Sequence, residues 1–243
     1  MDLSTVDVVI VARSDGPILR RAIAAVLGSA GVQAQVTIVD TGATPPIADV
    51  DDERVSVVRP SRPVGFAHAR NLGIAHGHAP SVLLLDPEVL VNATTIRRLL
   101  DQLDGEVAAV APTFAGLEPE DTAGRAWTLS AAVRRHQATS TAKPLASNRE
   151  AVWAIDYATG SCLLIERAAW ESVGGFDETF SHGPDDLDFC LRLRAGRRRI
   201  VQVRAAIAAF VAEPRTHGAL SLDGARQRID AIRTIRKHRR TVA

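Results

Sequence analysis

Three aspartates stand within four positions, Asp185, Asp186 and Asp188, just past a Gly174-Gly175 break and a Phe176-Asp177-Glu178 run. Crowded carboxylates repel and raise one another's pKa. The positive end of a helix dipole offsets part of that cost. Such a group suits a general base, with Asp186 the candidate and Asp185 beside it. The plainer alternative is a helix cap by Asp185 followed by two solvated acids.

A second set of candidates closes apolar runs. In an open α/β sheet, ligands gather at the carboxyl ends of the strands. Three such ends are polar: Ala12-Arg13-Ser14-Asp15, Asp40 after Thr37-Ile38-Val39, and Asp86-Pro87-Glu88 after Leu83-Leu84-Leu85. In a segment read as extended and stiffened by Pro87, Asp86 and Glu88 point the same way. Two carboxylates on one side suit a hard cation, Mg²⁺ or Mn²⁺, bridging to phosphate oxygens. A strand-end turn with two solvated acids is the alternative. Arg70 has the planar fork that suits a diphosphate, or it serves a structural ion pair. Asp156 and Gly160 are further candidates for a substrate contact, and for Asp156 a turn role is equally open.

The elements that must position these residues alternate. Strands are expected over 7–12, 36–39, 55–58, 82–85 and 107–111. Helices are expected over 18–27 and 65–76, and from a cap at Asn92 to about Leu103. The alternation implies an α/β fold with a mostly parallel central sheet covered on both faces. From Thr113 to Glu150 the rhythm breaks. A connection this long in a compact domain is usually functional, and it is read as a flap with one helix near 128–135. Regular structure resumes at Ala154–Ile165. From Leu222 to Arg240, Ala225, Ile229, Ile232 and Ile235 share one face. Seven arginines and lysines, Arg226, Arg228, Arg233, Arg236, Lys237, Arg239 and Arg240, fill the rest. That is a basic amphipathic helix, packed on the domain or lying on an anionic membrane surface.

Composition narrows the class. The 243 residues are 46% apolar and 23% charged, as in a soluble globular domain. A net charge of +1 gives no global nucleic-acid signal. No apolar run approaches ~20 residues, and the amino terminus does not resemble a signal peptide. A cytoplasmic protein, at the inner face of the membrane if the basic helix docks there, is the expectation. Cys162 and Cys190 lie in apolar segments, which points to core packing.

Two stretches resemble the family-two inverting glycosyltransferases. The first is Gly65-Phe66-Ala67-His68-Ala69-Arg70-Asn71-Leu72-Gly73. The second combines Gly160, Leu164 and Arg167 with Gly174-Gly175-Phe176-Asp177-Glu178 and the acidic pair Asp185-Asp186, where the family usually has Glu-Asp. The resemblance covers roughly residues 6–205. It implies a GT-A fold: one domain over 1–221, with a nucleotide-sugar half to about 112 and an acceptor half from about 113, and the basic helix as 222–243. It implies that the acidic pair carries the catalytic base and that Asp86-Pro87-Glu88 stands at the metal motif. It also implies that Asp40 contacts the base or ribose of the nucleotide, and that Ala12, Arg13, Arg70 and Asp86 line the donor site. Tyr157-Ala158-Thr159-Gly160-Ser161 is similar to rhamnosyltransferase-like members. The chain departs from the family at Arg13-Ser14-Asp15-Gly16 and at Phe210, where many members have a metal-binding His; His217 lies seven residues on.

The expected function is sugar transfer from a UDP- or dTDP-activated donor to a glycan, lipid-linked or small-molecule acceptor, in cell-wall, polysaccharide or glycolipid synthesis. The alternative is a non-catalytic relative that binds nucleotide-sugar or a partner enzyme. A nicotinamide dehydrogenase is disfavoured because no Gly-x-Gly-x-x-Gly follows the first strand.

Overall fold

The computed structural model describes residues 4–117, 122–124, 152–180 and 185–211. The expected flap helix near 128–135, His217 and the basic helix from 222 lie outside the described residues. In chain order the elements are β1 (Ser4–Ala12), α1 (Pro17–Leu27), β2 (Val32–Asp40), β3 (Val55–Val58), α2 (Phe66–His76), β4 (Ser81–Leu85), β5 (Val89–Val91), α3 (Thr95–Leu100) and β6 (Val107–Phe114). There follow β7 (Ala123–Gly124), β8 (Val152–Ile155), β9 (Tyr157–Ala158), β10 (Cys162–Glu166), α4 (Arg167–Ser172), α5 (Asp185–Ala195) and β11 (Arg199–Phe210).

Among the described residues nine strands form one sheet in the order β3-β2-β1-β4-β10-β6-β11-β5, with β8 also paired to β11. β1 runs parallel to β2 and β4, and β2 to β3. β10 inserts antiparallel between β4 and β6, and β11 runs parallel to β6. The sheet is therefore mixed but mostly parallel. The two-residue side-chain period sorts the apolar runs onto two faces. Val8, Ile10, Leu83 and Leu85 meet Leu19, Ile23 and Val26 of α1 and Ile96 and Leu99 of α3. Val9, Val11, Val82 and Leu84 meet Ala67, Ala69 and Ile74 of α2, with Phe189 and Leu193 of α5.

α2 lies unusually close to the sheet. A Cβ on Gly73 would overlap Val9 and touch Val39, so only glycine lets the backbone approach this far. One turn earlier, Arg70 is thereby held at the carboxyl ends of the strands. At the opposite end Arg167 donates to Asp7 at 2.6 Å and to the carbonyls of Ala79 and Ile74 at 2.6 and 2.8 Å. This member of the recognised motif is a structural clamp.

Several expectations are corrected. Asp86–Val89 is a turn and not an extended segment: the Val89 N–H donates to the Asp86 carbonyl at 3.0 Å. α3 begins at Thr95, with Thr94 at its cap position, and ends at Leu100. Asn92 still helps by accepting from the Thr94 N–H at 3.1 Å and the Thr95 hydroxyl at 2.8 Å. The stretch 154–165 divides among three strands, because a bend at Asp156 and a turn at Gly160–Ser161 interrupt it. β6 runs on through Phe114, whose ring stacks on Phe210 at 4.9 Å, so regular structure continues past Thr113.

Candidate active site

Register brings the site together. Cys162 of β10 pairs with Leu85 of β4, and the Asp86 N–H donates to the Ser161 carbonyl at 2.8 Å. This sets Gly160-Ser161 against the carboxyl end of β4. From there the chain just before β10 runs back along α5. The Gly160 N–H donates to Asp186 Oδ2 at 2.9 Å, Cys190 Sγ lies 3.9 Å from the Ala158 carbonyl, and Asp156 pairs with Arg194 at 3.1 Å. Two strand residues, ~6.6 Å, match four helix residues, ~6 Å. Gly160 therefore reaches the acids, while Asp156 sits at the other end of α5, paired with a cation.

At the centre is Arg70, 4% exposed. Its Nη1 donates to Asp185 Oδ2 at 2.8 Å, and its guanidinium lies over the Phe66 ring at 4.3 Å. Gly160 walls the other side, since any Cβ there would overlap the guanidinium. Burial lowers the Arg70 pKa, but Asp185, Asp186 and Asp86 more than reverse this and raise it. Burial pushes the Asp186 carboxyl above the usual aspartate range and Asp185 adds to the rise. Arg70 and the N–H groups of Gly160 and Leu187 oppose it. The Asp86 carboxyl is likewise raised, first by burial. Arg70 and a hydrogen bond with Ser161 work against that, and Glu88 and Asp185 with it. Among the described residues three acids thus face one buried cation, an excess of negative charge that favours either a proton or a further cation.

Asp185 is not a free cap and Asp188 is not solvated. Asp188 is fully buried and accepts from Arg192 Nε at 2.7 Å. The bland reading of this cluster fails on burial. The excess charge, with half-buried Asp86 and exposed Glu88 on one turn, fits a hard divalent cation that draws its other ligands from water and phosphate. Among the described residues no group of three or more His, Cys, Asp or Glu forms a ready-made metal site.

The remaining donor-side candidates lie along the neighbouring strand ends. Ala12 is buried and its carbonyl accepts from the Thr41 N–H at 3.0 Å, while Arg13 is exposed. The Asp40 carboxylate accepts from the N–H groups of Gly42, Ala43 and Ile47 at 3.0, 2.8 and 3.0 Å. Burial alone would raise its pKa; those three donors more than offset this and hold it low. Its carboxylate organises its own loop. Sequence reasoning assigned no role to Asn71 or Ser161. The signal for Asn71 was available, as a polar residue next to Arg70 in a recognised motif.

Residues 4–229 match the family described as Glycosyltransferase like family 2, and the chain belongs to it. It is 30% identical over 200 residues to the pre-mycofactocin glycosyltransferase of Mycobacterium tuberculosis, covering 79% of this chain and 40% of that protein. It is 26% identical over 146 residues to the low-salt glycan biosynthesis hexosyltransferase Agl10 of Haloferax volcanii, covering 54% and 43%. The chain thus matches less than half the length of these relatives. Among solved structures, GalNAc-T7 with UDP, GalNAc and Mn²⁺ superposes with a TM-score of 0.70 at 16% identity, covering 97% of this chain and 48% of that one. The mannosyltransferase PcManGT of Pyrobaculum calidifontis, with GDP-Man and Mn²⁺, gives 0.66 at 15%, covering 97% and 68%. The fold is GT-A.

Proposed function

We propose that the protein is an inverting hexosyltransferase that moves a sugar from a UDP- or dTDP-activated donor to an acceptor hydroxyl. The observation that carries this is Asp186: a partly buried carboxylate of raised pKa on the first turn of α5, at the carboxyl end of the sheet. In a single displacement Asp186 takes the proton of the acceptor hydroxyl. The acceptor oxygen bonds to the sugar's anomeric carbon as the bond to the diphosphate breaks, and the nucleoside diphosphate leaves. A raised pKa makes Asp186 a stronger base than a solvated aspartate. Arg70 holds Asp185 at 2.8 Å and so orients the turn that carries the base. Asp86 and Glu88 would hold Mg²⁺ or Mn²⁺, which offsets charge on the departing diphosphate. The name of the Haloferax volcanii relative supports a hexosyl donor, and the family resemblance supports inversion and a rhamnose-type sugar.

The acceptor is a glycan, a lipid-linked sugar or a small molecule. The basic amphipathic sequence pattern of residues 222–243 supports docking on an anionic membrane surface, against packing on the domain. Removing them should abolish co-sedimentation with anionic vesicles; full-length protein that ignores such vesicles at low salt would sink this part. A panel of UDP-, dTDP- and GDP-hexoses with Mn²⁺ tests the main reading. The cognate donor raises the melting temperature and releases nucleoside diphosphate with acceptor present. One observation favours a second reading, a non-catalytic nucleotide-sugar-binding protein: Phe210, where the family resemblance leads one to expect a metal-binding His, is stacked on Phe114. Binding without turnover on every donor would select it.

A further inference from the structure

The Arg70 pair is not the only tie between α2 and the acids. The neighbouring Asn71 uses its whole side-chain amide on the Gly174–Glu178 loop and on Trp170 of α4. Its Nδ2 donates to the Phe176 carbonyl and to Glu178 Oε1, both at 2.9 Å. Its Oδ1 accepts from the Phe176 N–H at 2.9 Å and from Trp170 Nε1 at 3.2 Å. A primary amide has two donors and two acceptor sites, and all four are in use. Both backbone groups of Phe176 are gripped by one side chain, as a neighbouring strand would grip them. Gly175 makes this approach possible. It sits at φ 76°, and a Cβ there would stand 2.9 Å from Asn71 Oδ1.

Phe176 passes the constraint on. Its ring is 2% exposed and stacks on Phe189 of α5 at 4.5 Å between centroids, with 30° between planes. Phe189 stands three and four residues beyond Asp186 and Asp185, one helical turn along the same helix. The Arg70 guanidinium lies 5.6 Å from the Phe176 ring. One segment of α2 thus grasps α5 twice: through Arg70 on Asp185, and through Asn71, Phe176 and Phe189 on the turn behind it.

We infer that Asn71 is a positioning residue for α5, fixing through Phe176 and Phe189 the rotation of the helix that presents Asp186. This rests on the transferase reading of the acids, but its mechanical half does not. Neither the burial of Asn71 nor its motif membership alone requires it; the doubled grip on one backbone position does. The indirect path predicts a particular signature. Donor contacts are untouched, so the donor KM holds, while misplacement of the base by a fraction of an ångström to an ångström lowers kcat.

The test compares wild type with Asn71→Ala and Asn71→Asp. The aspartate variant keeps the size and both accepted hydrogen bonds, and loses both donated ones beside Glu178. Amide hydrogen exchange is followed at Leu187–Leu191 and, as a reference, at Val8–Val11. Steady-state rates use the donor identified by the panel, read as nucleoside diphosphate release. We expect faster exchange confined to α5 and the Gly174–Glu178 loop, a fall in kcat of about 10²-fold for alanine, and a donor KM within about threefold. Measured against wild type at the same pH, the aspartate variant should recover part of its kcat deficit on mild acidification, since a protonated acid regains one donor. Exchange that is unchanged on α5, or faster throughout the sheet, overturns the inference, as does local loosening with an intact kcat. A wild type that turns over no donor defeats the transferase reading instead; the exchange comparison still decides whether Asn71 holds α5.

Discussion

Arg70 and Asp185 meet at 2.8 Å with side chains 5% and 3% exposed, although 115 residues separate them in the chain. Burying two charges is worthwhile only when they stay together; removing one partner strands the other. Arg70→Ala leaves Asp185, Asp186 and Asp86 facing one another without the Arg70 charge. Its expected cost is about 3–5 kcal/mol in urea unfolding. Arg70→Lys should recover little, because a compact ammonium cannot replace a flat guanidinium lying over Phe66 and against Gly160. Gly160→Ala should act in the same direction by pushing the guanidinium off Asp185. A fully stable Gly160→Ala protein would show that the cavity adapts.

Asp186 should show opposite effects on stability and activity. Its folded-state pKa lies above the ordinary 3.8, so the folded protein binds this proton more tightly than the unfolded chain does. The charged carboxylate therefore costs stability fully above the folded pKa, and the cost fades as pH falls toward 3.8. Asp186→Asn is expected to melt higher than wild type near pH 7, with the gap closing on acidification. Transfer should fall at least ~10²-fold, the usual scale of a lost general base. The acid limb of wild-type kcat/KM should lie above the ordinary aspartate range. Near-wild-type transfer by this variant would move the base to Asp185.

Much of this arrangement is legible in the residues. The apolar runs of β1, β2 and β4 are long and rich in β-branched residues, so local pattern and tertiary burial agree. The acid triplet announces itself by charge density. What local pattern misses are relations set by register and side-chain direction. β10 pairs antiparallel inside a parallel sheet, and the return past Gly160 follows α5. Neither carries a local period. The same holds for Asp40. A terminal aspartate on a strand looks the same whether it reaches a ligand or turns back onto its own loop.

Asp40 accordingly yields a structural prediction. Three backbone N–H donors hold its carboxylate pKa below 3.8. A depressed folded-state pKa contributes stability that is present above 3.8 and lost as pH falls through the lower folded value. Asp40→Ala leaves the N–H groups of Gly42, Ala43 and Ile47 without their acceptor, which places it among the costly losses of a buried hydrogen-bond network. The variant should be less stable than wild type at pH 7 and should lose less stability between pH 5 and pH 2. If Asp40 instead acts only on the nucleotide, Asp40→Ala keeps wild-type stability and loses affinity for UDP or dTDP.

Metal and nucleotide should bind as one event. The turn offers two carboxylates, Asp86 and Glu88, and no third described His, Cys, Asp or Glu completes a cluster. Mg²⁺ and Mn²⁺ demand about six oxygens and readily take the remainder from water and substrate phosphates. Mn²⁺ alone should therefore bind weakly, and a nucleoside diphosphate should create the rest of the site. Linkage is reciprocal, so Mn²⁺ must tighten UDP or dTDP by the same factor by which the nucleotide tightens Mn²⁺. Calorimetry of each nucleotide with and without Mn²⁺ measures that factor in wild type and in Asp86→Ala. A coupling of 1–3 kcal/mol, about 5–150-fold, is the ordinary range. It should collapse in the variant, while metal-free nucleotide affinity holds or rises as one acid leaves the Arg70 cluster. Equal affinities in all four arms would remove the metal from this site and leave Arg70, among the described residues, as the cation facing the acids.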